Sequence, residues 1–190
     1  MTNSHRFLPT DLPGVVVVEP QVHRDERGFF QESYQKEKYT RGGISDTFVQ
    51  DNHSRSLLGT LRGLHLQRTK LQAKLVRAIE GEVWDVAVDV RRGSPTFGRW
   101  VAATLSAENF RQLYVPAGMA HGFCVVSEVA QVEYKCSAFY DPQDELVVAW
   151  NDPDLGIEWP VDDPVLSERD RSASTLADLE HLLPHYQIPA

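Results

Sequence analysis

The chain has 190 residues, 42% hydrophobic and 24% charged, with a net charge of −8; such values suit one globular domain with arms and a sizeable core. The acidic balance argues against a nucleic-acid-binding face, no run approaches the roughly 18 apolar residues of a membrane span, and no basic start leads into an apolar stretch like that of a secretory leader. The expectation is a soluble, cytoplasmic protein without nucleic-acid or membrane partners, and Cys124 and Cys136, each in an apolar run, read as buried, reduced thiols. Along the chain, residues 12–19 predict a strand after a Pro-Gly break, Arg24 to Gly28 a charged turn, and Phe29 to Tyr34 a second strand. Gln35 to Arg41 predicts a short helix ended by Gly42-Gly43, and Phe48 to Asn52 a short strand. The run 74–90 is the strongest β signal, with Trp84, Val86, Val88 and Val90 on one face and Val83, Asp85, Ala87 and Asp89 on the other. Further strands are predicted at 98–105, 111–115, 122–126, 129–139 and 146–149. A loop-rich tail opens at Asn151, and Leu176, Leu179 and Leu183 have helical spacing behind Ser174 or Thr175 as N-cap. Evenly spaced short strands predict an all-β sandwich or barrel.

Two stretches share a pattern. Gly59, five residues and His65 are followed by Gln67, then by Lys74 and, after six residues, Gly81; later comes Pro116-Ala117-Gly118-Met119-Ala120-His121-Gly122-Phe123. They resemble the two half-motifs of a cupin barrel whose metal site has been dismantled. Gln67 stands where a metal-binding cupin has its second histidine, and Lys74 where it has its glutamate. An ammonium has donors and no lone pair, so it cannot ligate a cation. No metal and no cofactor is expected; histidines beside a fixed positive charge suit enolate chemistry.

Longer segments carry a narrower resemblance. Asp25-Glu26-Arg27-Gly28-Phe29-Phe30, Gln50-Asp51-Asn52-His53-Ser54-Arg55-Ser56, Leu61-Arg62-Gly63-Leu64-His65, Lys74-Leu75-Val76-Arg77, Gly81-Glu82-Val83-Trp84-Asp85, Ser94-Pro95-Thr96-Phe97-Gly98, Ala120-His121-Gly122-Phe123 and Tyr134-Lys135 occur in order. Together they resemble the dTDP-4-dehydrorhamnose 3,5-epimerase family from about residue 10 to 172. The resemblance implies an all-β fold: a cupin-type jelly-roll barrel with short peripheral helices and a loop-rich, partly helical C-terminal tail. It implies a single domain over 1–190. Residues 1–47 form N-terminal strands and an arm exchanged in a homodimer, 48–150 the barrel core and 151–190 the tail. The implied substrate is dTDP-4-dehydro-6-deoxy-D-glucose, inverted at C3 and C5 beside the C4 ketone in dTDP-L-rhamnose biosynthesis.

Protons α to a ketone are weakly acidic; moving one needs a base at the carbon, a cation or donor at the ketone oxygen and an acid on the opposite face. By the resemblance His65 is the base, oriented by Asp170 in Leu166-Ser167-Glu168-Arg169-Asp170, and Lys74 stabilises the enolate. Strand alternation alone leaves open which face of the sheet Lys74 takes. Tyr134 by pattern is a core aromatic; the Tyr134-Lys135 pair of the resemblance makes it the acid, with a nearby ammonium expected to lower its pKa. Asp85 and His121 are expected in contact, supporting the site. Arg27 and Arg62 match the diphosphate-binding arginines, whose planar forks fit phosphate oxygens. Phe30 is expected to pack on thymine, with Glu32, Gln50, Asn52, His121, Glu145 and Arg169 completing the substrate contacts. Arg27, Phe30 and Glu32 belong to the segment that crosses to the partner subunit. Arg62 and His65 share a pocket only if Gly63 permits a bulge. Two positions depart from the family pattern: Leu66 replaces an aromatic residue, and Phe139 a tyrosine expected beside Tyr134. That opens the alternative of an epimerase acting at C3 or C5 only. A ketoisomerase-like cupin, a metal-dependent oxygenase and a non-catalytic sugar-nucleotide-binding barrel are the other readings. The Tyr134–Lys74 pair, the lost ligand positions and the intact set of His65, Lys74, Tyr134 and Asp170 argue against them in turn.

Overall fold

Runs in which apolar residues alternate with charged or small ones become strands, and the longest such runs make two facing sheets. The computed structural model describes residues 5–187. The N-terminal segment carries β1 (Arg6–Pro9), β2 (Val16–Glu19), β3 (Val22–Asp25), β4 (Gly28–Gln31) and α1 (Lys36–Arg41), of which β1 and β2 join the first sheet. The strands that follow are β5 (Gln50–Leu57), β6 (Leu61–Gln67), β7 (Lys74–Glu80), β8 (Glu82–Val88), β9 (Trp100–Ser106), β10 (Gln112–Val115), β11 (Ala120–Val125), β12 (Val129–Cys136) and β13 (Glu145–Val147). The tail holds α2 (Glu168–Arg171), α3 (Leu176–Leu179) and a 3₁₀ turn, Glu180–Leu182.

One sheet has the order β1-β2-β10-β7-β12-β5 and the other β13-β6-β11-β8-β9, while β3 and β4 pair as a separate hairpin. Between the sheets, Val76, Ala78, Leu113 and Val132 of the first meet Val83, Ala87, Leu105 and Phe123 of the second. The outer faces are covered as well. Tyr39 of α1 and Ile44 pack on Val18, Leu75 and Tyr114 of the first sheet; Leu155, Leu176 and Leu183 of the tail pack on Val86 and Val88 of the second. Strands buried on both faces explain why 83–88 reads as almost continuously apolar. Cys124 and Cys136 are buried free thiols, as expected.

The strand run 74–90 is interrupted at Gly81, where the chain leaves the first sheet for the second. Gly81 has φ 67°, and a β-carbon there would lie 1.9 Å from the Val129 carbonyl oxygen, so the corner requires glycine. The charged turn expected at 24–28 is narrower: Arg24 and Asp25 lie in β3 and Gly28 opens β4. The strand expected at 48–52 continues to Leu57 because it pairs along all of β12. β1, next to β2, and α2 were not anticipated. The helices α1 and α3 fall where expected, with Gln35 and Thr175 as their N-caps.

Candidate active site

A cavity of about 140 Å³ opens between the two sheets. The first sheet contributes Asn52 and Ser54 of β5, Lys74 of β7 and Tyr134 of β12; the second contributes Arg62 and His65 of β6, His121 of β11 and Glu145 of β13. A larger cavity of about 250 Å³ lies over Ser33, Arg77, Gln112 and Glu133, but its arginine is already bound to Glu133 at 2.6 Å and it carries no histidine.

Arg62 and His65 reach the same cavity through the bulge that alternation required. His121 lies opposite His65 while Phe123 lies opposite Arg62, so β6 carries one extra residue against β11 and the side-chain parity reverses across Gly63 and Leu64. The backbones touch there: a β-carbon on Gly63, at φ 136°, would lie 2.6 Å from the Gly122 α-carbon, and one on Gly122 would lie 2.8 Å from the Arg62 carbonyl oxygen.

His65 Nε2 donates to Asp170 Oδ1 at 2.6 Å. An ionised carboxylate only accepts, so in neutral His65 the proton sits on Nε2 and Nδ1 keeps the lone pair. Burial alone would raise the Asp170 pKa; hydrogen bonds from His65, the Ser167 hydroxyl and the Gly63 N–H outweigh it and hold the carboxyl below its usual range. Ser167 is also the N-cap of α2, accepting from the Asp170 N–H. This one-turn helix locks the carboxylate under the imidazole.

Lys74 is buried and donates to the His65 carbonyl at 3.3 Å. Its side chain faces the cavity, which answers the question alternation left open. Burial pushes its pKa down, against the opposing pull of Cys136, Glu145 and Asp85. Asp85 is fully buried and both of its oxygens lie 3.0 Å from His121 Nε2, the contact anticipated; burial raises its pKa, partly offset by His121 and Lys74. The reading of Tyr134 needs correction. Its pKa is raised, chiefly by burial, and the cation that opposes the rise is Arg62 rather than an ammonium.

The remaining expected residues divide. Arg62 Nε donates to the Ser56 hydroxyl at 3.1 Å. Gln50 stands behind the cavity wall, donating to Asn52 Oδ1 at 3.0 Å and accepting from the Tyr140 N–H at 2.9 Å. Glu145 is ion-paired with Arg169, and Tyr140 donates to Glu145 Oε2 at 3.2 Å. Arg27, Phe30 and Glu32 do not line this cavity. Arg27 is bound to Asp25 of its own hairpin, Glu32 to Lys38, and Phe30 is 71% exposed. Phe139, expected beside Tyr134, instead turns outward and is 69% exposed; Tyr140 lines the cavity in its place. Strand β12 ends at Cys136, so alternation no longer predicts the direction of residue 139. Leu66 contributes to the cavity wall. Of the former ligand positions, Gln67 is tied to the Asp141 backbone by bonds of 3.1 and 2.9 Å. Ser54 and Gln72 also line the cavity; sequence reasoning passed over them because serine and glutamine carry no distinctive signal.

A histidine held by a carboxylate, a buried lysine and a phenol thus converge on one cavity with an arginine among its lining residues. The family model described as dTDP-4-dehydrorhamnose 3,5-epimerase matches residues 9–178. The chain belongs to this family. The dTDP-4-dehydrorhamnose 3,5-epimerase of Pseudomonas aeruginosa is 55% identical over 171 residues, 89% of this chain and 94% of that protein. The crystal structure of the Legionella pneumophila dTDP-6-deoxy-D-glucose-3,5-epimerase, in complex with dTDP-4-keto-L-rhamnose, is 48% identical with a TM-score of 0.94 and covers 97% of this chain and 100% of that one. A 3'-monoepimerase of Streptomyces bikiniensis, solved with dTDP-quinovose, is 40% identical with a TM-score of 0.88 over 94% of this chain and 92% of that one. The fold of the epimerase family, an all-β cupin-type barrel, is the fold of this chain.

Proposed function

We propose that the protein is a cofactor-independent isomerase that converts dTDP-4-dehydro-6-deoxy-D-glucose to dTDP-4-dehydro-L-rhamnose, inverting C3 and C5, in dTDP-L-rhamnose biosynthesis. The observation that carries this reading is the convergence of His65–Asp170, Lys74 and Tyr134 on one cavity. His65 Nδ1 takes the proton from a carbon beside the ketone, and the imidazolium formed is stabilised by the Asp170 carboxylate. The electron pair moves onto the C4 oxygen, where the buried Lys74 supplies a donor. Burial keeps the Tyr134 phenol protonated, so it returns a proton from the opposite face; solvent then reprotonates the phenolate and takes the proton from the His65 imidazolium. The cycle then repeats at the second carbon.

The diphosphate is held by Arg62 and, in a homodimer, by Arg27 of the second copy. Supporting this arrangement, Arg27, Phe30 and Glu32 stand on or beside a hairpin that leaves the cavity of its own chain untouched. Mixing Arg27→Ala subunits with His65→Asn subunits then restores one intact site per heterodimer; no recovery in demonstrated heterodimers refutes the shared site. No helix among the described residues is long and apolar enough to cross a membrane, and a cytoplasmic location is proposed.

A second reading, epimerisation of one carbon only, draws on the likeness to the Streptomyces bikiniensis monoepimerase. Incubation of the 4-keto sugar nucleotide with the protein in D₂O, followed by NMR, distinguishes them: deuterium at both C3 and C5 supports the first reading, deuterium at one carbon the second, and none at either refutes both.

A further inference from the structure

Within the cavity one solvent-shielded hydroxyl lacks a partner among the described residues. Ser54 Oγ is shielded from solvent and has no hydrogen bond among the described residues. A buried hydroxyl left unpaired is destabilising, and such groups in native proteins generally serve a ligand or an ordered water. Its neighbours on the same face of β5 are both engaged: Asn52 Nδ2 donates to Cys136 Sγ at 3.5 Å, and Ser56 Oγ accepts from Arg62 Nε at 3.1 Å.

Register locates the orphan. Asn52 lies opposite Tyr134, at the reacting end of the cavity, and Ser56 holds Arg62, at the phosphate end. Ser54 lies midway, about 7 Å along the strand from each. We propose that Ser54 is a specificity residue that hydrogen-bonds the C2 hydroxyl of the sugar. This rests on the dTDP-sugar reading above. A 4-keto-6-deoxyhexose linked through C1 has hydroxyls only at C2 and C3, and C3 is a reacting carbon. The C2 hydroxyl lies between the reacting carbons and the phosphate-bearing C1, and its configuration is unchanged by the reaction. It is therefore the one hydroxyl that can anchor the ring through both inversions. A serine hydroxyl both donates and accepts and turns about χ1 to meet it. Because the pair forms away from bulk water, a ligand without the C2 hydroxyl leaves a buried polar group unsatisfied and is discriminated against.

The test uses two ligands that cannot react, dTDP-D-glucose and dTDP-2-deoxy-D-glucose, titrated calorimetrically into the wild type and into Ser54→Ala. The wild type is expected to bind the 2-hydroxy ligand about three- to tenfold more tightly. Ser54→Ala weakens that ligand to the level of its 2-deoxy analogue and leaves the 2-deoxy affinity unchanged, which also reports an intact site. An equal change for both ligands, or no change for either, overturns the proposal, as does equal binding of both by the wild type. Binding of neither ligand by the wild type overturns the dTDP-sugar reading together with it.

Discussion

Asp170→Asn isolates the charge beneath the base. Asp170 accepts from His65 at 2.6 Å and from the Ser167 hydroxyl at 2.8 Å, and also from the Gly63 N–H. Aspartate can serve all of these because it is acceptor-only; asparagine offers one acceptor oxygen and an NH₂ group. If the NH₂ faces His65, Nε2 must become the acceptor, the proton moves to Nδ1, and the lone pair needed for abstraction is lost. If the oxygen faces His65, the NH₂ meets groups that donate to it now, and the imidazolium loses its counter-charge. A hydrogen bond to a charged group contributes about 1.5–3 kcal/mol, and at about 1.36 kcal/mol per decade its loss from the transition state slows proton abstraction about ten- to hundredfold. The tautomer change adds to this, giving a fall in kcat of about two orders of magnitude or more. Substrate affinity should barely change, since Asp170 does not line the cavity. Deuterium exchange at C3 and C5 under saturating substrate measures kcat directly. A variant within about twofold of wild type, or one that loses only affinity, refutes the dyad.

Burial lowers the folded pKa of Lys74 below its unfolded value, so the fold opposes the ammonium at all pH values below the folded pKa, and the penalty fades only as alkaline pH removes the charge. Lys74→Met should abolish exchange yet raise stability at neutral pH by about 1 kcal/mol or more, seen as a melting temperature higher by about 2–4 °C per kcal/mol; a lower melting temperature contradicts this. Phe139→Tyr should leave the ratio of deuterium entering C3 and C5 unchanged, because residue 139 faces solvent. Tyr140→Phe, which removes the bond to Glu145, should slow at least one exchange about three- to tenfold, and the opposite ranking of the two variants in the NMR assay would reassign the phenol. Asp89 is buried, which would raise its pKa, but the Arg91 guanidinium and the Ser94 and Thr96 hydroxyls hold it at about 2, against 3.8 unfolded. Its stabilisation of about 2 kcal/mol is complete above the unfolded value and is lost as pH falls through about 2. Asp89→Asn should therefore lose that amount in urea unfolding at pH 7 and almost nothing near pH 2, whereas an equal loss at both would contradict the charge argument.

Alternation within a strand was readable, and it placed Val86 and Val88 on one face of the second sheet and Asp85 on the other. It could not choose between faces for Lys74, because both faces of the first sheet are covered and each side reads as apolar. The cupin spacing supplied that choice, and the family pattern linked His65 to Asp170, two residues 105 positions apart with no local signal joining them. Legibility failed where periodicity stops. Residue 139 lies beyond the end of β12, so its direction depends on a turn. Ser54 sits in a strand whose alternate residues are exposed, where a serine looks like surface until the opposite sheet closes over it. The expectation that an ammonium would act on Tyr134 looked to Lys74 on the adjacent strand, whereas the cation that acts, Arg62, comes from the opposite sheet, a distance no strand pattern encodes.

The touching backbones of Gly63 and Gly122 have a consequence for how such a protein diversifies. Each glycine is held by main-chain atoms of the facing strand, so no side-chain adjustment elsewhere relieves the clash, and substituting both compounds it. The pair forms an evolutionary dead end in which neither order of mutation is passable. Descendants inherit the offset between Arg62 and His65 unaltered, and new product stereochemistry must arise on β5, on β12 or in the segment around Tyr140. A mutational library aimed at new substrates gains nothing from sampling positions 63 and 122 and concentrates its variants on those three places.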